Sequence, residues 1–288
     1  LLLRFARENV AMKVVVTGAA GKTGSLVFKK LLDRDGFDPI GIVRSSSSIK
    51  TLTKLGAPKS AIAIADVTQK DGLEEAMRGA DAVVLCSSAT PKIIFWSLIK
   101  LLFNKFILRK ANPGRPQFRW RGGGEPEIVD WLGAKNQIDS AKAVGVKQFV
   151  FVSSMGGTQP DNFLNSIGKR ADGKGGDILL WKRKAEKYLV ESGLPYTIIH
   201  PGGLLDKPGG RRELTVGVDD ELLKLPRRSI PRADVAEVCV QSLGLKEAIN
   251  RSFDLASQDE GGVPTLLLAP LLAGLNGRNC DYSLGVSV

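Results

Sequence analysis

Three glycines carry the first chemical signal in this chain. Gly18, Gly21 and Gly24 stand in "VVVTGAAGKTG", directly behind a run of valines and ahead of a helical pattern. The G-x-x-G-x-x-G spacing gives each glycine a task. Gly18 permits a tight turn, Gly21 lets backbone approach a diphosphate, and Gly24 lets helix and strand pack closely. The N–H groups of the helix start, with Ala20, Lys22 and Thr23 around them, then face an anion. A glycine triplet by itself marks only a strand-to-helix turn. At the first strand of an alternating strand–helix pattern it marks a dinucleotide site.

The next residues bear on which dinucleotide. The second apolar run ends "GIVRSSSS". A carboxylate there would bond a ribose 2′-hydroxyl and repel a 2′-phosphate, whereas the Arg44 guanidinium can take that phosphate bidentately. With Lys22 in the glycine turn, the chemistry favours NADP over NAD. The other reading of Arg44 is a solvated strand end. Asp66, at the end of the third run, either accepts from the adenine amino group or starts the helix that follows.

The elements that position these residues follow from periodicity. "KVVVTG" (13–18), "PIGIVR" (39–44), "AIAIAD" (61–66), "AVVLCS" (82–87), "QFVFVSS" (148–154) and "YTIIHP" (196–201) are short apolar strands. Helical patterns lie between them, among them "KTGSLVFKKLLDRD", "DGLEEAMRGA" and "PEIVDWLGAKNQIDSAKAVG". Strands apolar on both faces and alternating with helices predict an α/β fold, a doubly wound parallel sheet covered on both sides. Residues 12–258 form the dinucleotide-binding domain. An insertion at 91–124 and a Gly- and Pro-punctuated substrate-side lobe at 201–258 interrupt or follow it, and 259–288 is a C-terminal tail.

Composition narrows the classes further. The 288 residues are 43% hydrophobic, which suits a globular domain. Three scattered cysteines, Cys86, Cys239 and Cys280, argue against a disulfide framework and against a zinc site. His200 is the single histidine, so no multi-histidine metal centre exists, and no metal is expected. The net charge of +11 suits anionic cofactors or membrane surfaces. The basic residues are scattered and interleave with no RNA-binding module, so nucleic acid is a poor partner. "LLLRFARENVA" reads either as the tail of a cleaved targeting peptide or as a lead-in to a folded part starting at Met12.

With these residues in place, the chain resembles the atypical short-chain dehydrogenase/reductase superfamily, NmrA-like. More narrowly, it is similar to plant and algal plastid NAD(P)-binding Rossmann proteins. The likeness runs from about residue 13 to about 258 and rests on "TGAAGKTG", "VDWLGAKNQIDSAKAVGVK", "SSMGGT", "WKRKAEKYL", "SGLPYTIIHPGGLLD" and "PRADVAEV". It implies a Rossmann fold, bound NADP and a plastid setting, with the cytosol as the alternative. It also implies that Ser87, Ser153, Pro201 and Gly202 lie against the cofactor. His200 stands where the family usually has Arg, and "TLLLAPLLAGLNGRNCDYSLGVSV" has no clear counterpart.

In that superfamily a serine at the end of the fifth strand acts with a tyrosine and a lysine four residues later. The tyrosine passes a proton to the carbonyl, and the lysine binds the nicotinamide ribose and lowers the tyrosine pKa. Here the match is Ser154, or its neighbour Ser153, and Lys184, chosen by its "KAE" context. The residue four before Lys184 is Leu180, so the Tyr-x-x-x-Lys pair is absent. Ser154 and Lys184 are the catalytic candidates; Lys184 also counts as a cofactor ligand. His200, at the end of the sixth strand, is either a proton-transfer group or a satisfied core residue.

Two readings of function follow. One is an NADPH-dependent oxidoreductase acting on a small carbonyl or conjugated substrate. The other is a non-catalytic NADPH-binding subunit or assembly factor of a larger complex. The insertion bears on the choice. "KIIFWSLIKLLFNKFILRK" (92–110) places Ser97, Lys100, Asn104 and Lys105 on one side of a helix that is otherwise apolar. It is too interrupted to span a bilayer, and reads as a lid over its own pocket, a membrane-surface helix or a protein contact.

Overall fold

A strand such as β1 (Met12–Thr17) is buried over its last four residues. It can sit only in the middle of a sheet covered on both faces. Its valines divide accordingly: Val14 and Val16 join one apolar cluster with Val27, Phe28 and Leu31, while Val15 joins another with Ile138, Phe149 and Phe151. The computed structural model describes residues 11–109, 112, 114, 116–120 and 122–285, so the leader-like stretch 1–10 lies outside the described residues.

The six apolar runs form the expected strands. β1 pairs in parallel with β2 (Phe37–Val43) on one side and β4 (Ala82–Leu85) on the other. β3 (Ile62–Ile64) adds beyond β2; β7 (Gln148–Val152) and β8 (Tyr196–Pro201) add beyond β4. The order β3-β2-β1-β4-β7-β8 reverses direction between β1 and β4, which opens a crevice at the carboxyl ends of those two strands. A seventh parallel strand, β12 (Arg251–Glu260), pairs with β8 and was not expected from the sequence. β10 (Arg212–Gly217) pairs antiparallel with β12, and β11 (Ser229–Pro231) joins β12 to β9 (Gly203–Leu205). Strands of the 201–258 stretch thus extend the same sheet.

Helices cover both faces. α1 (Gly24–Leu32) and α7 (Arg232–Ser242) pack on one side, held together by Glu237, which pairs with Lys30 at 2.8 Å and Arg34 at 2.7 Å. Short α2 (Ile49–Thr53) follows β2. On the other side lie α3 (Leu73–Met77), α5 (Gly133–Ala143) and α6 (Ile178–Glu191). A π-helical turn, Glu127–Leu132, leads into α5. The insertion forms a small hairpin, β5 (Lys92–Ile93) with β6 (Phe118–Arg119), and between them α4 (Phe95–Leu102) runs on into a π-turn at Phe103–Ile107. The C-terminal stretch forms α8 (Leu268–Ala273), whose Leu268 and Leu272 join the core beside Leu275 and Cys280.

The start of α6 decides which of its side chains meet the sheet. Asp177 adopts a left-handed φ of 62° and supplies no capping bond of its own. Buried Asn165 does so instead: its Oδ1 accepts from the Leu179 N–H at 2.9 Å, while its carbonyl accepts from the Asp177 N–H at 2.8 Å. That clamp satisfies an orphan donor of the first turn and fixes the rotation of the helix.

Candidate functional site: a dinucleotide crevice and a buried polar group beside it

Gly18 ends β1 with φ +63°, and a Cβ there would meet Ser87 N at 2.8 Å and the Cys86 carbonyl carbon at 2.9 Å. The turn after β1 is thus pressed against the end of β4, and only glycine fits. A Cβ on Gly24 would lie 2.3 Å from the Gly18 carbonyl oxygen, so the helix start too is closed to any larger residue. Gly21 is open to solvent at the tip, and Thr23 precedes α1 without a side-chain cap. A glycine-rich backbone cradle, at a helix N-terminus and at the point of strand reversal, fits a dinucleotide diphosphate.

The residues around the cradle are disposed unevenly. Arg44 follows β2 directly and is exposed, with Ser45, Ser47 and Ser48 in mutual hydroxyl contact behind it. Its guanidinium is open to a ligand at that strand end. Lys22 does not stand free: its Nζ bonds Asp206 at 2.7 Å, and Arg232 holds the same carboxylate. These contacts keep the Asp206 carboxyl below the usual range, the Lys22 bond first among them. They also tie the glycine turn to the loop after β9, across the crevice. Asp66 spends Oδ1 on the Thr68 N–H and hydroxyl, both at 2.9 Å, in a turn that lies ahead of α3, so it does not start that helix. Ser87 shares a bond of 3.2 Å with the buried Gln137 amide. Pro201 is buried at the end of β8, and a Cβ on Gly202 would lie 1.9 Å from the Arg228 carbonyl oxygen.

The lysine that the fold brings to the end of β4 is Lys182, two residues before the expected Lys184. Lys184 lies half-buried between two indoles, its Nζ 5.1 Å from the Trp131 ring and 5.3 Å from that of Trp181. Lys182 is two residues earlier, about 200° around the helix. Its side chain is 7% exposed and its Nζ stands 2.9 Å from Asp130 Oδ1. The same carboxylate accepts from Ser88 Oγ at 2.8 Å and Ala89 N at 3.1 Å, so α6, the π-turn and the end of β4 share one buried ion pair. The Lys182 ammonium also lies 5.9 Å from the Phe151 ring of β7. Burial pushes the Cys86 thiol up to about 12, only partly offset by that ammonium, which disfavours its thiolate. Four residues before Lys182 stands Ile178; in either frame the tyrosine is missing.

The two serines after β7 point to different places. Ser154 Oγ donates to the Met155 carbonyl at 3.0 Å and remains half-exposed. Ser153 is buried, and its hydroxyl bonds Glu186 on α6. Glu186 in turn bonds His200 Nε2 at 3.0 Å, and His200 Nδ1 lies 3.5 Å from Asp254 and 3.6 Å from the Cys280 sulfur. Burial works against the charge on both members of the central pair. Even so, the mutual attraction of His200 and Glu186 holds the imidazole well above its usual range and the carboxyl below its own. The group borders a cavity of about 10 Å³ that Ser154 also lines, a space on the scale of one water molecule.

His200 is therefore part of a buried ion pair at the edge of the crevice. Sequence reading named the histidine but missed Glu186, Asp254 and Cys280, which come from a helix, an unexpected strand and the tail. His200, Asp254 and Cys280 bring ligand-type atoms within 4.8 Å of one another, although no metal centre was expected.

A parallel sheet whose strand order reverses, with a glycine-rich cradle at the reversal, defines the class: a doubly wound NAD(P)H-binding protein. Family comparison agrees, since the NAD(P)H-binding family model matches residues 18–245. The chain is 48% identical over 262 residues to an uncharacterised chloroplastic protein of Arabidopsis thaliana, covering 90% of this chain and 74% of that one. It is 47% identical over 263 residues to sanguinarine reductase of Eschscholzia californica, covering 89% of this chain and 93% of the other. Among solved structures, a protein from Bacillus halodurans, provisionally described as an NAD-dependent epimerase/dehydratase, superposes with a TM-score of 0.64 at 25% identity, over 92% of this chain and all of that one. The chain belongs to the NAD(P)H-binding atypical short-chain dehydrogenase/reductase family of the NmrA-like kind.

Proposed function

We propose that this protein is an NADPH-dependent reductase acting on a small carbonyl or conjugated substrate in a plastid setting. The observation that carries the reading is the 47% identity to a reductase across 93% of that enzyme's length. The plastid setting rests on the chloroplastic relative. When bound, the cofactor supplies a hydride. Gly18, Ala20, Gly21, Thr23 and Gly24 hold the diphosphate, and Arg44 takes the 2′-phosphate. Ser87, Pro201 and Gly202 border the cofactor at the ends of β4 and β8. Lys182 replaces Lys184 as the lysine facing the nicotinamide side, and Ser154 is the hydroxyl open to a substrate.

The missing tyrosine shapes the substrate class. Reducing a simple carbonyl places negative charge on oxygen and calls for a positioned proton donor. A conjugated acceptor spreads that charge and can take its proton later from water. The residues thus suit conjugated acceptors better than isolated ketones. The test is loss of NADPH absorbance against a panel of both kinds, with sanguinarine included. Turnover of conjugated acceptors supports the reading; inertness toward the whole panel, with NADPH bound, would favour the non-catalytic subunit. That second reading draws on the exposed apolar face of residues 92–109, a surface for a membrane or a protein complex.

A further inference from the structure

The inserted helix has no counterpart in the dinucleotide machinery, and its apolar side chains are exposed along its whole length. No residue of α4 or of the π-turn after it is buried. Phe95, Trp96, Phe103, Phe106 and Ile107 are all at least half exposed, with Trp96 at 75%. A patch of this kind on a soluble protein marks an interaction site. The structure also makes the lid reading a poor fit, because a lid would bury this face against its own pocket.

The arm that carries the helix is stiffened from both sides. Ile94 N donates to the Gln117 carbonyl at 2.9 Å, and Gln117 N donates to Ser97 Oγ at 2.9 Å. Trp120 bonds the Gly175 carbonyl, and so anchors the arm to the loop before α6. The exposed face is therefore held out by bonded structure.

Charge identifies the occupant. Residues 91–124 contain Lys92, Lys100, Lys105, Arg109, Lys110, Arg115, Arg119 and Arg121 and not one Asp or Glu. Elsewhere in the chain acids and bases are mixed. Apolar side chains surround most of the helix, and only Ser97, Lys100, Asn104 and Lys105 interrupt them. A peptide-binding groove calls for a narrow stripe of anchors at i, i+3 and i+4. A broad aromatic and aliphatic surface flanked by cations matches the boundary between headgroups and acyl chains. No helix among the described residues is long and apolar enough to cross a membrane. We infer that α4 and its π-turn form an interfacial anchor that seats this protein on a bilayer surface rich in anionic lipid. The aromatic side chains enter the acyl boundary and the lysines and arginines meet the headgroup charge. The inference concerns where the protein sits, and it stands or falls apart from the reductase reading.

The test is co-sedimentation of the full chain with vesicles of phosphatidylcholine alone or with about 30% phosphatidylglycerol, a share chosen to give a clearly negative surface. Binding to the anionic vesicles that weakens in high salt is expected, with little on neutral ones. W96S/F103S/F106S should fall to the neutral-vesicle level while keeping the NADPH-induced thermal shift. K100E/K105E, which leaves the apolar face intact, should lose roughly 25-fold or more in affinity for anionic vesicles, from about fivefold per removed cation. Equal binding to neutral and anionic vesicles overturns the inference, as does no vesicle binding at all, including the case where the face proves to hold a protein. Anionic binding that survives both variants overturns it too, since the net charge alone would then be responsible.

Discussion

Lys182 Nζ and Asp130 Oδ1 stand 2.9 Å apart with their side chains 7% and 0% exposed, and they fasten α6 to the end of β4 beside the dinucleotide crevice. Removing one member strands the other charge in the interior, which typically costs about 3–5 kcal/mol. Lys182→Ala should therefore destabilise strongly. Lys184→Ala removes a half-exposed ammonium over two indoles and should cost no more than about 1–2 kcal/mol. Denaturant unfolding of both variants checks this; the opposite ranking would return Lys184 to the site. Lys182→Met, which keeps the volume, should also weaken NADPH binding, whereas Lys184→Met should not.

Cofactor preference follows from Arg44. NADPH at about one hundred times its Kd should raise stability by roughly 2.7 kcal/mol. NADH at the same concentration should do less. Arg44→Asp should reverse the order in a thermal-shift comparison. Equal shifts with both nucleotides in the unaltered protein would remove Arg44 from the 2′-phosphate.

The His200–Glu186 pair gives the protein a pH signature of known sign. His200 is held well above the ordinary imidazole range although burial opposes it. Its contribution is fully present below about pH 6.5 and is lost as pH rises through the folded-state value. Glu186 is held below its ordinary value, again against burial, so its contribution is present above about pH 4.5 and lost as pH falls further. Melting temperature should therefore decline from neutral toward alkaline pH. In His200→Gln that alkaline slope should flatten, at the cost of lower stability at pH 6. An unchanged slope in His200→Gln would place the titration elsewhere.

The C-terminal stretch should prove structural. Arg183 lies 4.1 Å from the Tyr282 ring, and its guanidinium donates to the Asp281 carbonyl. Asn279 accepts from Ser252 N at 2.6 Å. Truncation after Gly277 removes these contacts along with Cys280 and should lower the melting temperature by several degrees or more. The Tyr282 hydroxyl is buried, with the Ser252 side chain as a polar neighbour but no well-formed hydrogen bond, so Tyr282→Phe should be neutral or stabilising by up to about 1 kcal/mol. A clear loss in Tyr282→Phe would mean that the hydroxyl has a partner.

The sequence alone determined the six-strand parallel part of the sheet and the cradle. Six apolar runs separated by helical patterns have one economical solution, and glycine at positions 18 and 24 answers a backbone requirement, the left-handed φ of Gly18 and the close approach of Gly24 to the Gly18 carbonyl. Arg44 could be placed for the same reason, since the end of β2 follows directly from its apolar run. Other features depended on tertiary contacts. In "WKRKAEKYL" a tryptophan, two lysines and an arginine follow one another, so apolar periodicity does not say which cation faces inward. Asn165 decides that by clamping the start of α6, and Asp130 decides it by waiting for Lys182. β12 escaped notice because "RSFDLASQDE" mixes polar with apolar residues, and only its place between β8 and β10 makes it a strand. The meeting of Ser153, Glu186, His200, Asp254 and Cys280 lay beyond sequence reading altogether. A buried polar group is stabilised by partners remote along the chain, and only folding brings those partners within hydrogen-bond reach.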